Sequence, residues 1–94
     1  MATWKAQVRV WLKPSVFDPQ GRAVEQALHS LGYTGVGEVR IGKYMELRLE
    51  AASEAEAAAQ VRAMCDAVLV NPVMETYAFS LEPWAKDARA EASA

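Results

Sequence analysis

The sequence predicts a two-layer α+β sandwich, a mostly antiparallel sheet with two helices on one face, and three observations predict it. Residues 3–13 and 38–50 alternate apolar and polar side chains with the two-residue period of half-buried strands. Asp18-Pro19 and Ser53-Glu54-Ala55-Glu56 are helix-start signals, each followed by apolar residues at three- and four-residue spacing. Pro14, Gly32, Gly42, Pro72 and Pro83 punctuate the chain, so strand, helix, strand, helix and strand follow in order.

The first strand places Trp4, Ala6, Val8, Val10 and Leu12 on one face and Thr3, Lys5, Gln7, Arg9, Trp11 and Lys13 on the other. Pro14 ends it. The Asp18 carboxylate caps a helix whose first residue is Pro19, and the stripe Val24, Ala27, Leu28 and Leu31 is its expected buried face. Gly32 supplies the left-handed residue that commonly follows a helix end, which gives a first helix over 19–31.

Over 38–50 the odd positions Val39, Ile41, Met45, Leu47 and Leu49 are apolar and the phase never breaks. A two-residue turn at Gly42-Lys43 would carry Glu46 and Arg48 onto the buried face, so it is excluded. Two arrangements keep the phase: a hairpin with the three-residue loop Gly42-Lys43-Tyr44, pairing Ile41 with Met45, and one long strand bent at Gly42. The bent strand would be on the order of 40 Å long at about 3.3 Å per residue, so half of it would seek a second chain.

The capping box at Ser53 and Glu56 starts the second helix. Its expected stripe is Ala57, Val61, Met64, Cys65 and Val68, and it must end before Asn71-Pro72, because proline disfavours helical geometry in the residue before it. Val73, Tyr77, Phe79 and Leu81 share a face of the last strand, which Pro83 closes. Residues 1–83 thus form one domain. Residues 84–94, from Trp84 onward, hold no further large apolar residue and are expected to be a flexible or frayed tail. The element order is similar to the ferredoxin-like arrangement, which hosts enzymes, RNA binders, sensors and assembly subunits alike.

Composition narrows the function. Ten Lys and Arg against twelve Asp and Glu give a net charge of -2, without the basic excess that phosphate backbones or anionic membranes require, so neither nucleic acid nor membrane is an expected partner. A single cysteine builds neither a disulfide framework nor a cysteine-rich zinc site, and the expected setting is the cytoplasm. The N-terminal segment lacks the apolar run of a signal peptide.

Few residues suit catalysis. His29 projects about 100° from Leu28, away from the apolar stripe, and is expected at the surface. Cys65 belongs to the buried stripe beside Asp66, whose charge opposes a thiolate. Gly32, Gly35, Gly37 and Gly42 form no phosphate-loop pattern, and the acidic residues lie at no metal-ligand spacing with histidine. Trp11 is different: a large aromatic on the polar face of its strand points to an interface. No catalytic, cofactor or metal residue is therefore expected. A small-molecule-sensing regulatory domain of βαββαβ type, with loop amides over 35–37 of two subunits around a ligand, is the alternative.

Three stretches resemble the PurS family, the small subunit of phosphoribosylformylglycinamidine synthase. They are Val8-Arg9-Val10-Trp11-Leu12-Lys13-Pro14 followed by Asp18-Pro19-Gln20-Gly21; Val39-Arg40-Ile41-Gly42-Lys43-Tyr44-Met45-Glu46-Leu47; and Met64-Cys65-Asp66-Ala67-Val68-Leu69-Val70-Asn71-Pro72-Val73-Met74-Glu75-Thr76-Tyr77. The resemblance implies a non-catalytic assembly subunit in purine biosynthesis. Such a subunit bridges a glutaminase subunit and an ATP-dependent synthetase subunit so that ammonia passes between them, and itself forms a dimer or tetramer. ATP and Mg would be bound by the synthetase partner, with no cofactor in this chain. The positions expected to touch partner proteins are Trp11, Asp18, Gln20, Gly42, Lys43, Tyr44, Asn71, Pro72 and Glu75; each also suits turn or cap geometry.

Overall fold

The computed structural model describes residues 1–84; of the tail expected over 84–94, residues 85–94 lie outside the described residues. Strand β1 spans Ala2–Leu12, helix α1 Pro19–Ser30, strand β2 Gly42–Ala51, helix α2 Glu54–Met64, and strand β3 Glu75–Pro83. The sheet has the order β2-β1-β3, with β1 antiparallel to both neighbours.

Alternation in β1 builds the core. Ala6, Val8 and Val10 are fully covered, with Leu47, Met45 and Lys43 opposite them on β2 and Leu81, Phe79 and Tyr77 on β3. Helix α2 lies on this face and buries Ala57 and Val61 against it, with Cys65 just past its end. Ser53 caps α2 as expected, its hydroxyl accepting from the Glu56 amide at 3.2 Å.

The end of α2 departs from simple helical periodicity. Residues Cys65–Leu69 form a π-turn, closed by a bond from the Val70 amide to the Cys65 carbonyl at 3.1 Å. The wider turn rotates the following side chains, so Val68 is 82% exposed instead of buried, and Leu69 packs on the core in its place. Val73 likewise lies outside β3 and is exposed, because Asn71 opens a turn whose side-chain oxygen accepts from the amides of Val73 and Met74. Trp84, placed by sequence at the head of the tail, continues the β1–β3 ladder: its amide donates to the Thr3 carbonyl at 2.9 Å, and Arg48 stands over its ring at 5.9 Å.

The hairpin at Gly42 is absent. Gly42, Lys43 and Tyr44 sit in the ladder opposite Trp11, Val10 and Arg9, so they cannot serve as a loop. Residues 38–41 leave the sheet as an arm that runs along α1 instead. Close approach fixes this route: a Cβ on Gly21 would lie 2.1 Å from the Val39 carbonyl oxygen, and one on Gly42 would lie 2.2 Å from that of Val10. At the start of the arm Glu38 takes a left-handed backbone, φ 54°.

The stripe expected to bury α1 stays open. Gly21 is the helix's only buried residue, while Val24 and Leu31 are 40% and 74% exposed. Helix α1 and its arm form a lobe beside the sheet, which makes the radius of gyration 17.0 Å against about 12 Å for a compact chain of this size.

Candidate functional site

Because β1 is antiparallel to both neighbours, its C-terminal end meets the N-terminal ends of β2 and β3, and the loop leaving β1 converges with the segments leading into β2 and β3 on one corner. The corner holds a shallow cleft of ≈ 410 Å³ lined by Trp11, Asp18, Gln20, Gly42, Lys43 and Glu75, with Val10, Leu12, Pro19 and Ile41. Six of the nine positions singled out by sequence therefore share one cleft. Asn71 and Pro72 stand one turn behind it, and Tyr44 faces away along β2, its hydroxyl donating to Glu46 at 2.9 Å.

Asp18 is the keystone. It is 4% exposed; its Oδ1 accepts from the Gly21 amide at 2.9 Å, capping α1, and its Oδ2 accepts from the Ile41 amide at 2.7 Å, tying the helix start to the arm. The Ile41 amide, then that of Gly21, holds its carboxyl below the usual carboxylate range. One carboxylate thus joins two segments that are 23 residues apart.

Two cations not singled out by sequence complete the corner. Arg40 Nη2 donates to the carbonyls of Lys13 at 2.9 Å and Val16 at 2.7 Å, fastening the arm to the loop after β1. Lys13 Nζ donates to the Pro72 carbonyl at 2.8 Å, and its amide to the Met74 carbonyl at 2.9 Å, fastening that loop to the approach of β3. Glu75 closes the circuit, accepting from the Asn71 amide at 2.8 Å and standing 3.8 Å from Lys43 Nζ. Both cations lie inside the stretches that carry the family resemblance, which was the available signal.

The remaining chemistry lies elsewhere. His29 is on the last turn of α1, where its Nε2 meets the Val36 carbonyl at 2.5 Å, and it does not line the cleft. Cys65 is fully buried under α2, and burial, then the Asp66 charge, pushes its thiol up. Among the described residues no group of three or more His, Cys, Asp or Glu side chains is placed to hold a metal ion, and no helix is long and apolar enough to cross a membrane. What the corner offers is a rigid polar surface around a half-exposed tryptophan.

A family model described as PurS, phosphoribosylformylglycinamidine (FGAM) synthase, matches residues 5–83. The chain belongs to the PurS family. It is similar to the PurS subunit of phosphoribosylformylglycinamidine synthase from Synechocystis sp., with 51% identity over 84% of this chain and 79% of that protein. A solved structure of Bacillus subtilis PurS shares 49% identity and a TM-score of 0.73, covering 84% of this chain and 98% of that one. A solved structure of PurLQS from Thermotoga maritima matches at 32% identity and a TM-score of 0.79, over 87% of this chain and all of that one. As a PurS chain, this protein is a subunit of phosphoribosylformylglycinamidine synthase in purine biosynthesis. The match does not favour the sensor alternative.

Proposed function

We propose that this chain is the non-catalytic assembly subunit of its synthase, a cytoplasmic homo-oligomer, dimer or tetramer, that bridges a glutaminase subunit and an ATP-dependent synthetase subunit so that ammonia passes between them. ATP and Mg belong to the synthetase. The single observation that carries the reading is the corner: Trp11, Asp18, Gln20, Gly42, Lys43 and Glu75 line one cleft, while the only histidine and the only cysteine of the chain lie outside it. A half-exposed tryptophan with a polar surround suits protein contact, where aromatics anchor and polar rims orient. The PurLQS assembly of T. maritima supports partners of that kind.

Reconstitution tests it. The two partner subunits are assayed with and without this chain, first with glutamine and then with ammonia as nitrogen source. Omission is expected to abolish glutamine-dependent synthesis and to spare most of the ammonia-dependent rate, because free ammonia needs no passage. Undiminished glutamine-dependent turnover without the chain would overturn the reading. Within the corner, Gln20→Arg is expected to weaken partner binding at least tenfold in a pull-down titration, with the thermal melt unchanged.

A further inference from the structure

Val10, Val8 and Ala6 of β1 are fully covered, yet Tyr77, Phe79 and Leu81, opposite them on β3, are only half-buried. Helix α2 stops short of the β3 flank and leaves a groove of ≈ 590 Å³. Glu54, Ala58 and Arg62, at four-residue spacing on one face of the helix, line one side of it, and those three β3 side chains line the other. The floor is aromatic: Tyr77 and Phe79 stack with centroids 6.4 Å apart, and Arg62 stands over the Phe79 ring at 5.6 Å. The helix wall ends in opposite charges. Strands β2 and β3 both finish at the N-terminal end of β1, where Ala51 faces Ala2 and Pro83 faces Trp4. Helix α2 starts just after Ala51 and therefore sets Glu54 at the Leu81 end of the groove and Arg62 further along it.

We propose that residues 85–94 of the same chain occupy this groove, returning along β3 from Trp84. The groove shares no residue with the corner cleft, and the proposal goes beyond the bridging role without resting on it. The family match ends at residue 83, so the segment lies outside the shared fold.

Position, length and charge order select this occupant. The segment starts at the mouth of the groove, because Trp84 is still in the ladder with its amide on the Thr3 carbonyl at 2.9 Å. Its ten residues cover about 15 Å at the helical rise and more if extended, against about 13 Å of groove from Leu81 to Tyr77. On the return path Lys86 and Arg89, which outweigh Asp87, reach Glu54 first, and Glu91 reaches Arg62 later. The other residues are alanines and Ser93, which bring nothing bulky into a shallow groove. Exposed ion pairs are weak, so their order sets the direction while coverage of Tyr77 and Phe79 holds the segment. A tethered segment meets its groove at an effective concentration on the order of mM. Contacts too weak to capture a free peptide of the same sequence therefore suffice within the chain.

The test uses the full chain. A nitroxide on Ser93→Cys marks the end of the segment, while the buried Cys65 stays unlabelled. Amide signals of Ala58, Arg62 and Phe79 are expected to lose most of their intensity relative to the reduced label, and those of His29 and Gly35 to keep theirs. Lys86→Glu with Arg89→Glu changes no residue of the sheet or of α2 and is expected to restore much of the lost intensity. Adding Glu54→Lys should bring the loss back, with an unaltered thermal melt showing that the fold is kept. Full intensity along the groove, a loss as large at His29 as at Phe79, or a loss indifferent to the charge reversal would each overturn the proposal. A loss equally strong when nitroxide and isotope sit on different copies would make a second copy's tail the occupant and overturn it as well.

Discussion

The sheet with α2 and the lobe of α1 with its arm are made of similar residues and held by different forces. Among the described residues the nine buried hydrophobic ones, including Val8, Val10, Val61 and Cys65, all belong to β1, β2, α2 and the turn after it with its closing residue Val70. The lobe contributes only Asp18 and Gly21 to the interior, and its apolar stripe faces outward. One region is stable because apolar area leaves water; the other is positioned by a carboxylate, a guanidinium and two close backbone contacts. An apolar face that its own chain leaves open is a surface for another chain.

The sharpest way to break this contrast is to place the same charge in both regions. Val8→Asp puts an unpaired carboxylate in the core, at a cost of several kcal/mol set against a total stability of about 5–15 kcal/mol. No cooperative thermal transition is expected by circular dichroism. Leu31→Asp, on a side chain 74% exposed, should shift Tm by no more than about 4 °C. A large loss from Leu31→Asp would mean that the lobe contributes to the core after all.

Gly21→Ala is expected to have a smaller and more local effect. Its Cβ would meet the Val39 carbonyl at 2.1 Å, so the arm must move, at a cost of about 1–3 kcal/mol. Hydrogen exchange should quicken at the amides of Val39 and Ile41 and stay slow at Val8. The pH dependence of the same clamp is smaller again. The folded-state pKa of Asp18 is depressed, so its contribution is complete above the unfolded value of about 3.9 and is lost as pH falls through the lower folded value. Exchange at Ile41 should therefore rise only below about pH 4, and Asp18→Asn should remove that acid step. Smallest of all, His29→Ala should leave glutamine-dependent synthesis by the reconstituted synthase within about twofold, since its ring only meets the Val36 carbonyl and His29 is a surface residue.

Most of the fold was legible because each element carries a local signal. Alternation marks β1, the Ser53 and Asp18 caps mark the helix starts, and Asn71-Pro72 marks the return to β3. What was not legible depends on partners or on a change of period. The stripe of α1 says that a face is to be covered and not by what, so Val24 and Leu31 read as core residues although they stand open. A 3.6-residue period turns Val68 inward, and the π-turn at Cys65–Leu69 interrupts that period. The choice between hairpin and bent strand turned on whether Gly42, Lys43 and Tyr44 pair with β1, a long-range fact that the sequence does not state. The corner cleft gathers six of the nine expected contact positions for a topological reason: with β1 antiparallel to both neighbours, the segment leaving it and those entering β2 and β3 lie at the same end of the sheet. Arg40 and Lys13 lie within the stretches that carry the resemblance, yet a cation that bonds to backbone carbonyls leaves no local pattern of its own.

The buried thiol gives the molecule its own gauge. Cys65 is the single cysteine of the chain, is wholly covered by α2 and the sheet, and is held protonated by burial. An alkylating reagent can reach it only when that packing opens, so the labelling rate of the unmodified protein measures the opening of one region and is blind to motions of α1. Docking of a partner on the lobe and tightening of the core can then be told apart in a single time course, with no probe attached and no residue changed.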